Sequence, residues 1–205
     1  MQTHLFSYDL PEEVDLGLEI ALDTETMGLC PHRDRLCLLQ ISAGDGNCYL
    51  VHFPQADFTQ SPRLCKILRD PKVLKIFHFG RFDIAVLAHS FGFLLQNVFC
   101  TKIASRLART FTARHSLKDL CRDLLGVELN KGEQTSDWGS PTLSSEQLRY
   151  AGTDVLYLHQ LRDKLTDILI REDRLDIAQA CFQFLPYRSK LDLMAGLEFD
   201  VFAHS

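Results

Sequence analysis

Two carboxylates, Asp23 and Glu25, follow a short apolar run in the segment IALDTET. In a β-strand, residues two apart point to the same face, so these two acids lie side by side. Like charges at that distance repel each other, and burial raises the cost of keeping both ionised. A bound cation would compensate this repulsion, so the pair is a candidate metal site. An exposed strand end with two solvated acids is the alternative interpretation.

Three further residues could join this pair. Asp83 lies in HFGRFD, just after a predicted strand, and loops at strand ends build the active-site crevice of open α/β sheets. Tyr150 and Asp154 are four apart in a predicted helix, so they share one face. Taken singly, each could equally be an ordinary helix-surface acid or a half-buried tyrosine.

Four acids from three segments could hold two divalent cations. Carboxylate oxygens are the ligands that Mg²⁺ and Mn²⁺ prefer, and the sequence contains no His/Cys cluster suited to softer metals. Two cations roughly 3.5–4 Å apart can stabilise the attacking and leaving oxygens of an in-line phosphoryl displacement. Tyr150 could orient the attacking water or help to deprotonate it. The pattern therefore predicts phosphodiester chemistry.

Composition limits the substrate and the compartment. The 205 residues suit one domain, and a net charge of −5 lacks the basic excess of proteins that grip long nucleic acid. We therefore expect a short substrate, or one met through a local basic patch and metal ions. Seven cysteines without a CxxC pair are typical of reduced thiols, so we expect a cytoplasmic protein. The sequence shows neither a secretory signal nor an apolar run of about 20 residues, so we expect no membrane association.

The hydrophobic pattern predicts a mixed α/β domain whose C-terminal part is helical. Glycines at 44 and 46 indicate a hairpin turn between the second and third strands. The predicted strands are 18–23, 35–44, 47–53, 72–79 and a short one near 98–99. The predicted helices are 61–70, 81–92, 101–110, 116–126 and 144–173.

The order DxE, HxxxxD and YxxxD resembles that of the DEDDy 3′→5′ exonucleases, and most closely their ribonuclease D group. SLKDLCRDLLGVELNKGEQTSDW and LSSEQLRYAGTDVLYLHQL resemble the long third block of that group. The resemblance covers about residues 20–165 and implies a ribonuclease H-like mixed β-sheet flanked by helices. It also implies an exonuclease domain at 1–170 and a helical extension at 171–205, packed on the domain or in a subunit interface.

The resemblance assigns Asp23, Glu25, Asp83 and Asp154 as ligands of two divalent cations, Mg²⁺ or Mn²⁺. The cation held by Asp23, Glu25 and Asp154 would activate water. The other, held by Asp23 and Asp83, would stabilise the leaving 3′ oxygen. Tyr150 would position the water, so all five residues are predicted to be catalytic.

The chain also departs from ribonuclease D. Only about forty residues follow the last matching block, His78 stands where many relatives have Asn, and Cys100 replaces an Asp before Thr101. The short form resembles the nanoRNase C family, which degrades very short RNA, especially dinucleotides. That family forms closed, ring-like homo-oligomers, reported as octamers, so we expect a homo-oligomer.

The segment MGL at 27–29 resembles the one that follows DxE in oligoribonucleases, where a leucine wedges between two bases. Leu29 is therefore the candidate wedge, and a core leucine at a strand end is the alternative. A dinucleotide enzyme must also cap the 5′ phosphate, which an arginine or a cationic histidine of this chain or a neighbouring subunit could do. The candidates for the cap are Arg81, Arg114, His115 and Lys131. The predicted substrate contacts are Thr24, Met27, Gly28, Leu29, His78, Phe79, Arg81 and Lys131.

These observations predict a metal-dependent 3′→5′ exoribonuclease. Its substrates would be 5′-phosphorylated dinucleotides and short oligoribonucleotides, and its products nucleoside 5′-monophosphates. One alternative is the same chemistry on longer RNA or DNA. The other is a catalytically retired domain that binds nucleic acid or serves as a scaffold, against which the complete set of four acids argues.

Overall fold

A six-stranded mixed sheet organises the chain in the computed structural model, which describes residues 2–129 and 136–204. The sheet order is β1-β4-β3-β2-β5-β6. The pairs β2–β3 and β3–β4 are antiparallel, and β1–β4, β2–β5 and β5–β6 are parallel. The strands are β1 (Gln2–Ser7), β2 (Glu19–Thr26), β3 (Leu36–Ser42), β4 (Asn47–His52), β5 (Leu74–Phe77) and β6 (Val98–Cys100).

The sheet confirms the predicted α/β class and the hairpin between β3 and β4, with Gly44 and Gly46 both at positive φ in its turn. Strand β1 was not predicted. It is an edge strand without a buried residue, and its parallel partner lies more than forty positions along the chain. Neither local alternation nor a turn signal therefore marks it.

Helices cover both faces of the sheet, which explains why every residue of β3 is buried. Within the described residues the α-helices are α1 (Pro62–Arg69), α2 (Arg81–Phe91), α3 (Thr101–Ala108), α4 (Leu117–Leu120), α5 (Ser145–Leu156), α6 (Leu158–Arg171) and α7 (Leu175–Ala195). A short 3₁₀ turn (Phe58–Gln60) precedes α1, and a π-helical turn (Cys121–Leu125) continues α4. None of these helices has the length and apolarity needed to cross a membrane.

The prediction of one continuous helix over 144–173 is wrong. Tyr157, with φ −104° and ψ 0°, separates α5 from α6. Helix α5 packs on β2, β3 and β4, whereas α6 packs on α3. The break lets two amphipathic segments bury their apolar sides against different partners, which a single straight helix could not do.

Helix α7 forms the helical C-terminal part that the sequence predicts. It packs mainly against α2 and also against β6, where the rings of Phe99 and Phe182 lie 4.5 Å apart. The last helix therefore contacts the element that carries Asp83.

Candidate active site

Strand β2 brings Asp23 and Glu25 to the edge of the core. Ile20, Ala21 and Leu22 are fully buried and fix the first half of the strand. Asp23 and Glu25 follow on one face, and both are only half-buried. The two acids are therefore held by a rigid strand rather than by a loop.

Helix α5 supplies the third acid of the cluster. Its start is fixed by a capping box in which Ser144 and Gln147 bond each other's backbone amides, as their spacing predicts. Asp154 then lies two to three turns along the helix. One carboxylate oxygen each from Asp23, Glu25 and Asp154 lies within 4.8 Å of the others.

Asp83 approaches from the other side of β2. It is the third residue of α2, it is 4% exposed, and its Oδ1 accepts a 2.6 Å hydrogen bond from the Thr24 hydroxyl. Thr24 points to the opposite face from Asp23 and Glu25 because side chains alternate along a strand. Asp83 is nevertheless close enough that its charge raises the pKa of Asp23.

The pKa values of all four acids are raised. Burial raises the pKa of Glu25 to about 8, and the charges of Asp154 and Asp83 add to the effect. Burial also raises the pKa of Asp83 to about 7 and of Asp154 to about 7, although hydrogen bonds from Thr24 and Tyr150 oppose this. Burial and the three neighbouring acids raise the pKa of Asp23 well above its usual range.

A carboxylate cluster with raised pKa values and hard oxygen donors fits a divalent cation. Compensating positive charge is what such a group requires, and Mg²⁺ and Mn²⁺ bind such oxygens. The half-buried environment makes the alternative of a solvated strand end wrong.

Tyr150 lies one turn before Asp154 and hydrogen-bonds to its carboxylate. Burial, with the charges of Asp154 and Glu25, raises the pKa of Tyr150 well above its usual range. The hydroxyl is therefore protonated near neutral pH, and while its hydrogen is donated to Asp154 its oxygen can accept a hydrogen bond from a water molecule. The ring lies 6.3 Å from that of Trp138, which is buried and supports it.

Gln40 is a site residue that the sequence analysis missed. It stands directly opposite Asp23 across β2 and β3, it is fully buried, and its Nε2 lies 3.5 Å from Asp23 Oδ2. The register between β2 and β3 brings the two residues together. The sequence does not mark this register, so it could not identify Gln40 as a neighbour of Asp23.

Large apolar side chains lie exposed beside the acids. Leu29 is 77% exposed, so the alternative of a core leucine is wrong, and Met27 is 59% exposed. Both belong to the loop after β2. A Cβ atom on Gly28 would lie 2.3 Å from the Asp34 carboxylate, which also accepts a hydrogen bond from the Cys30 amide. A side chain at position 28 would therefore have to displace the Asp34 carboxylate that bonds this loop.

The segment after β5 carries His78 and Phe79. His78 Nδ1 lies 2.9 Å from the Thr101 hydroxyl, and burial followed by the Lys102 charge lowers its pKa to about 3, so the ring is neutral at pH 7. Phe79 is 48% exposed at φ 63°, a backbone conformation that is costly for a residue with a bulky side chain. Lys102 Nζ lies 4.3 Å from the centre of its ring, a cation that the sequence analysis did not single out.

The candidates for the phosphate cap lie in different environments. Arg81 forms a bidentate pair with Asp192 through Nε and Nη2, and its side chain is 28% exposed. Arg114 is 64% exposed, and His115 Nδ1 lies 2.8 Å from the Ser105 hydroxyl. Lys131 lies outside the described residues. The cap stays a prediction.

Comparison with known proteins gives consistent matches. The family profile described as 3′-5′ exonuclease matches residues 6–170. Ribonuclease D of Gluconacetobacter diazotrophicus is 32% identical over 157 residues, which are 77% of this chain and 39% of that protein. The chain therefore spans well under half the length of this curated relative.

Solved structures of Brucella melitensis NrnC match over the full length of both chains. The structure bound to pGG is 52% identical to this chain with a TM-score of 0.96. The structure with bound Mg²⁺ is 51% identical with a TM-score of 0.94. These neighbours also confirm the predicted fold class.

Proposed function

This chain belongs to the 3′–5′ exonuclease family, and we propose that it hydrolyses 5′-phosphorylated dinucleotides and other short oligoribonucleotides. It is a 3′–5′ exoribonuclease of the ribonuclease D-like group and releases nucleoside 5′-monophosphates. The observation that carries this proposal is the convergence of Asp23, Glu25, Asp83 and Asp154 from three separate elements, each with a raised pKa.

These acids would hold the metal ions, one ion by Asp23, Glu25 and Asp154 and the other by Asp23 and Asp83. Two divalent cations, Mg²⁺ or Mn²⁺, would supply an activated water and stabilisation of the leaving 3′ oxygen. Tyr150 orients that water through its protonated hydroxyl, and its hydrogen bond to Asp154 fixes the direction of the hydroxyl. The buried strand and helix keep these groups in place before substrate arrives. Mg²⁺ bound to the related Brucella protein supports the choice of metal.

The proposed substrate is a dinucleotide or another short RNA. The related Brucella protein was solved with pGG, a dinucleotide. A net charge of −5 does not favour a long polyanion. Leu29 and Met27 are exposed beside the acids, so they are free to contact bases, and Phe79 offers a ring on which a base could stack. Thr24, Gly28 and His78 are further proposed substrate contacts.

We further infer that the protein assembles as a homo-oligomer, the octamer being the size that the family resemblance implies. Large apolar side chains are exposed at the C-terminal end, which is typical of an interface. They include Tyr187, Met194, Leu197, Phe199, Val201 and Phe202. In this proposal 1–170 is the exonuclease domain and 171–205 is an extension that packs on it and also contributes to the interface. A monodisperse monomer by light scattering would contradict the assembly.

The seven cysteines all lie in the described residues and all are free thiols, which supports a cytoplasmic location.

Analysis of the products of pGG hydrolysis tests the proposed reaction. With Mg²⁺ we expect pG as the sole product, detected by chromatography and mass spectrometry, and no turnover with excess chelator. A product carrying a 3′ phosphate, or equal turnover in chelator, would overturn the proposed chemistry.

A further inference from the structure

The end of helix α7 contacts the first turn of α2 through both backbone and side chain. The Ser189 hydroxyl donates a 2.8 Å hydrogen bond to the carbonyl oxygen of Arg81. Arg81 Nε and Nη2 donate to the two oxygens of Asp192 at 2.6 and 2.7 Å. Ser189 is fully buried, and the Asp192 side chain is 4% exposed. In α7, Ser189 therefore holds the backbone of Arg81, and Asp192 holds its guanidinium group.

This arginine begins the helix that carries Asp83. Arg81 is the first residue of α2 and Asp83 is the third, so any shift or rotation of the first turn moves the Asp83 carboxylate. Asp83 is otherwise tied to β2 through the Thr24 hydroxyl. The carboxylate is thus held from two directions, by the sheet on one side and, through the start of its own helix, by α7 on the other.

Stability alone is a weak reason for such a pair. Desolvation of two charges often cancels their attraction, and apolar residues of similar volume can stabilise a core as well. A bidentate arginine–carboxylate pair adds geometric specificity, because both oxygens and both nitrogens must be in place. Arg188 Nη1 also lies 3.1 Å from Asp192, and Arg81 Nη2 reaches the carbonyl oxygen of Leu197 at 2.8 Å. Arg188 therefore adds a second cation beside the Asp192 carboxylate, and the Leu197 carbonyl gives the Arg81 guanidinium a second acceptor.

We propose that Ser189 and Asp192 are positioning residues for the metal site, acting on Asp83 through Arg81. This makes the C-terminal helix part of the metal-binding apparatus, although it lies more than a hundred residues from Asp83 in sequence. The inference rests on the proposed role of Asp83 as a metal ligand.

Mn²⁺ binding to the full chain without substrate, followed by electron paramagnetic resonance, tests the inference independently of turnover. We expect Asp192→Asn to weaken Mn²⁺ binding about 10-fold, the lower end of the effect known for groups that orient metal ligands. Ser189→Ala removes only the hydrogen bond to the Arg81 carbonyl oxygen. This variant should fold normally and should weaken Mn²⁺ binding less than Asp192→Asn does.

Asp123→Asn is the matched control. Asp123 also pairs with a buried arginine, Arg109, at 2.6 Å, and it also has further arginine partners. The control should lower the thermal midpoint as much as Asp192→Asn does but leave Mn²⁺ affinity unchanged. If Asp192→Asn and Ser189→Ala both bind Mn²⁺ like the unmodified protein, or if Asp123→Asn weakens binding equally, the positioning role is refuted.

Asp83→Asn separates this inference from the proposed function. Weakened Mn²⁺ binding in Asp83→Asn with normal binding in both α7 variants would refute the positioning role alone. Normal binding in Asp83→Asn would refute the role of Asp83 as a ligand, and with it the inference.

Discussion

The hydroxyl of Thr24 donates a 2.6 Å hydrogen bond to the carboxylate of Asp83, 59 residues further along the chain. This bond joins the strand that carries Asp23 and Glu25 to the helix that carries the fourth acid. Its donor lies between the two acids in sequence but on the opposite face of the strand. One strand therefore presents two carboxylates on one side and holds Asp83, the fourth acid, from the other.

Thr24→Val should weaken metal binding at neutral pH. Valine has nearly the same shape but cannot donate a hydrogen bond, and the Thr24 bond is what lowers the pKa of Asp83 against burial. Without it the pKa of Asp83 rises further, so protons compete with the metal up to a higher pH. We expect about tenfold weaker Mn²⁺ binding at pH 7, the equivalent of one pKa unit, with recovery near pH 9. Equal loss at both values would show that the bond does not act through protonation.

Tyr150→Phe should lower kcat by about 10²-fold at saturating metal while leaving KM nearly unchanged. Because the lost hydroxyl also lowers the pKa of Asp154, Mn²⁺ binding should weaken at pH 7 and recover near pH 9. The ring packs near Trp138 in either variant, so only the hydroxyl that orients the water is lost. Steady-state kinetics on pGG, with metal binding measured separately, checks this expectation. A kcat close to that of the unmodified protein would remove Tyr150 from the catalytic residues.

Thermal stability without divalent metal should fall between pH 5 and pH 8. Glu25, Asp83 and Asp154 have folded-state pKa values of about 8, 7 and 7, whereas unfolded carboxyls titrate near 4. Between these limits the folded state binds more protons than the unfolded state, so the free energy of unfolding decreases as pH rises. Mg²⁺ should therefore raise the melting temperature more at pH 8 than at pH 5, as scanning calorimetry can measure. An equal effect of Mg²⁺ at both pH values would contradict this account.

Leu29→Ala should raise KM for pGG about tenfold without changing the melting temperature. The side chain is 77% exposed, so its removal costs the fold little, whereas a wedge between two bases would lose most of its apolar contact. Leu18→Ala, at a position 64% exposed just before β2, is the control for loss of an exposed leucine. The wedge assignment fails if both variants have the same KM.

The parts of the site that the sequence could predict are those encoded locally. The spacing of Asp23 and Glu25, the capping box before Tyr150, and the hairpin glycines are each read within a few positions, and all appear as expected. The position of Asp83 after a predicted strand and the helical spacing of Tyr150 and Asp154 suggested that these residues could join the pair, and the resemblance to known exonucleases then assigned all four acids as metal ligands.

The parts that were missed depend on register and tertiary packing. Gln40 faces Asp23 only because β3 pairs with β2 at one offset, and Arg81 meets Asp192 only because α7 returns to α2. The break at Tyr157 arises because α5 and α6 bury their apolar sides against different elements. None of these relationships leaves a periodic signal in the sequence.

The rate of cleavage as a function of RNA length tests the central claim most directly. We would measure 5′-phosphorylated RNAs of two, three, five and seven nucleotides with Mg²⁺ and with Mn²⁺. Asp154→Ala would report contaminating nuclease, because loss of this carboxylate should abolish turnover while circular dichroism shows an intact fold. The account predicts a rate that peaks sharply at the dinucleotide. Rates that stay flat or rise with length would contradict it and favour an exonuclease that processes longer RNA.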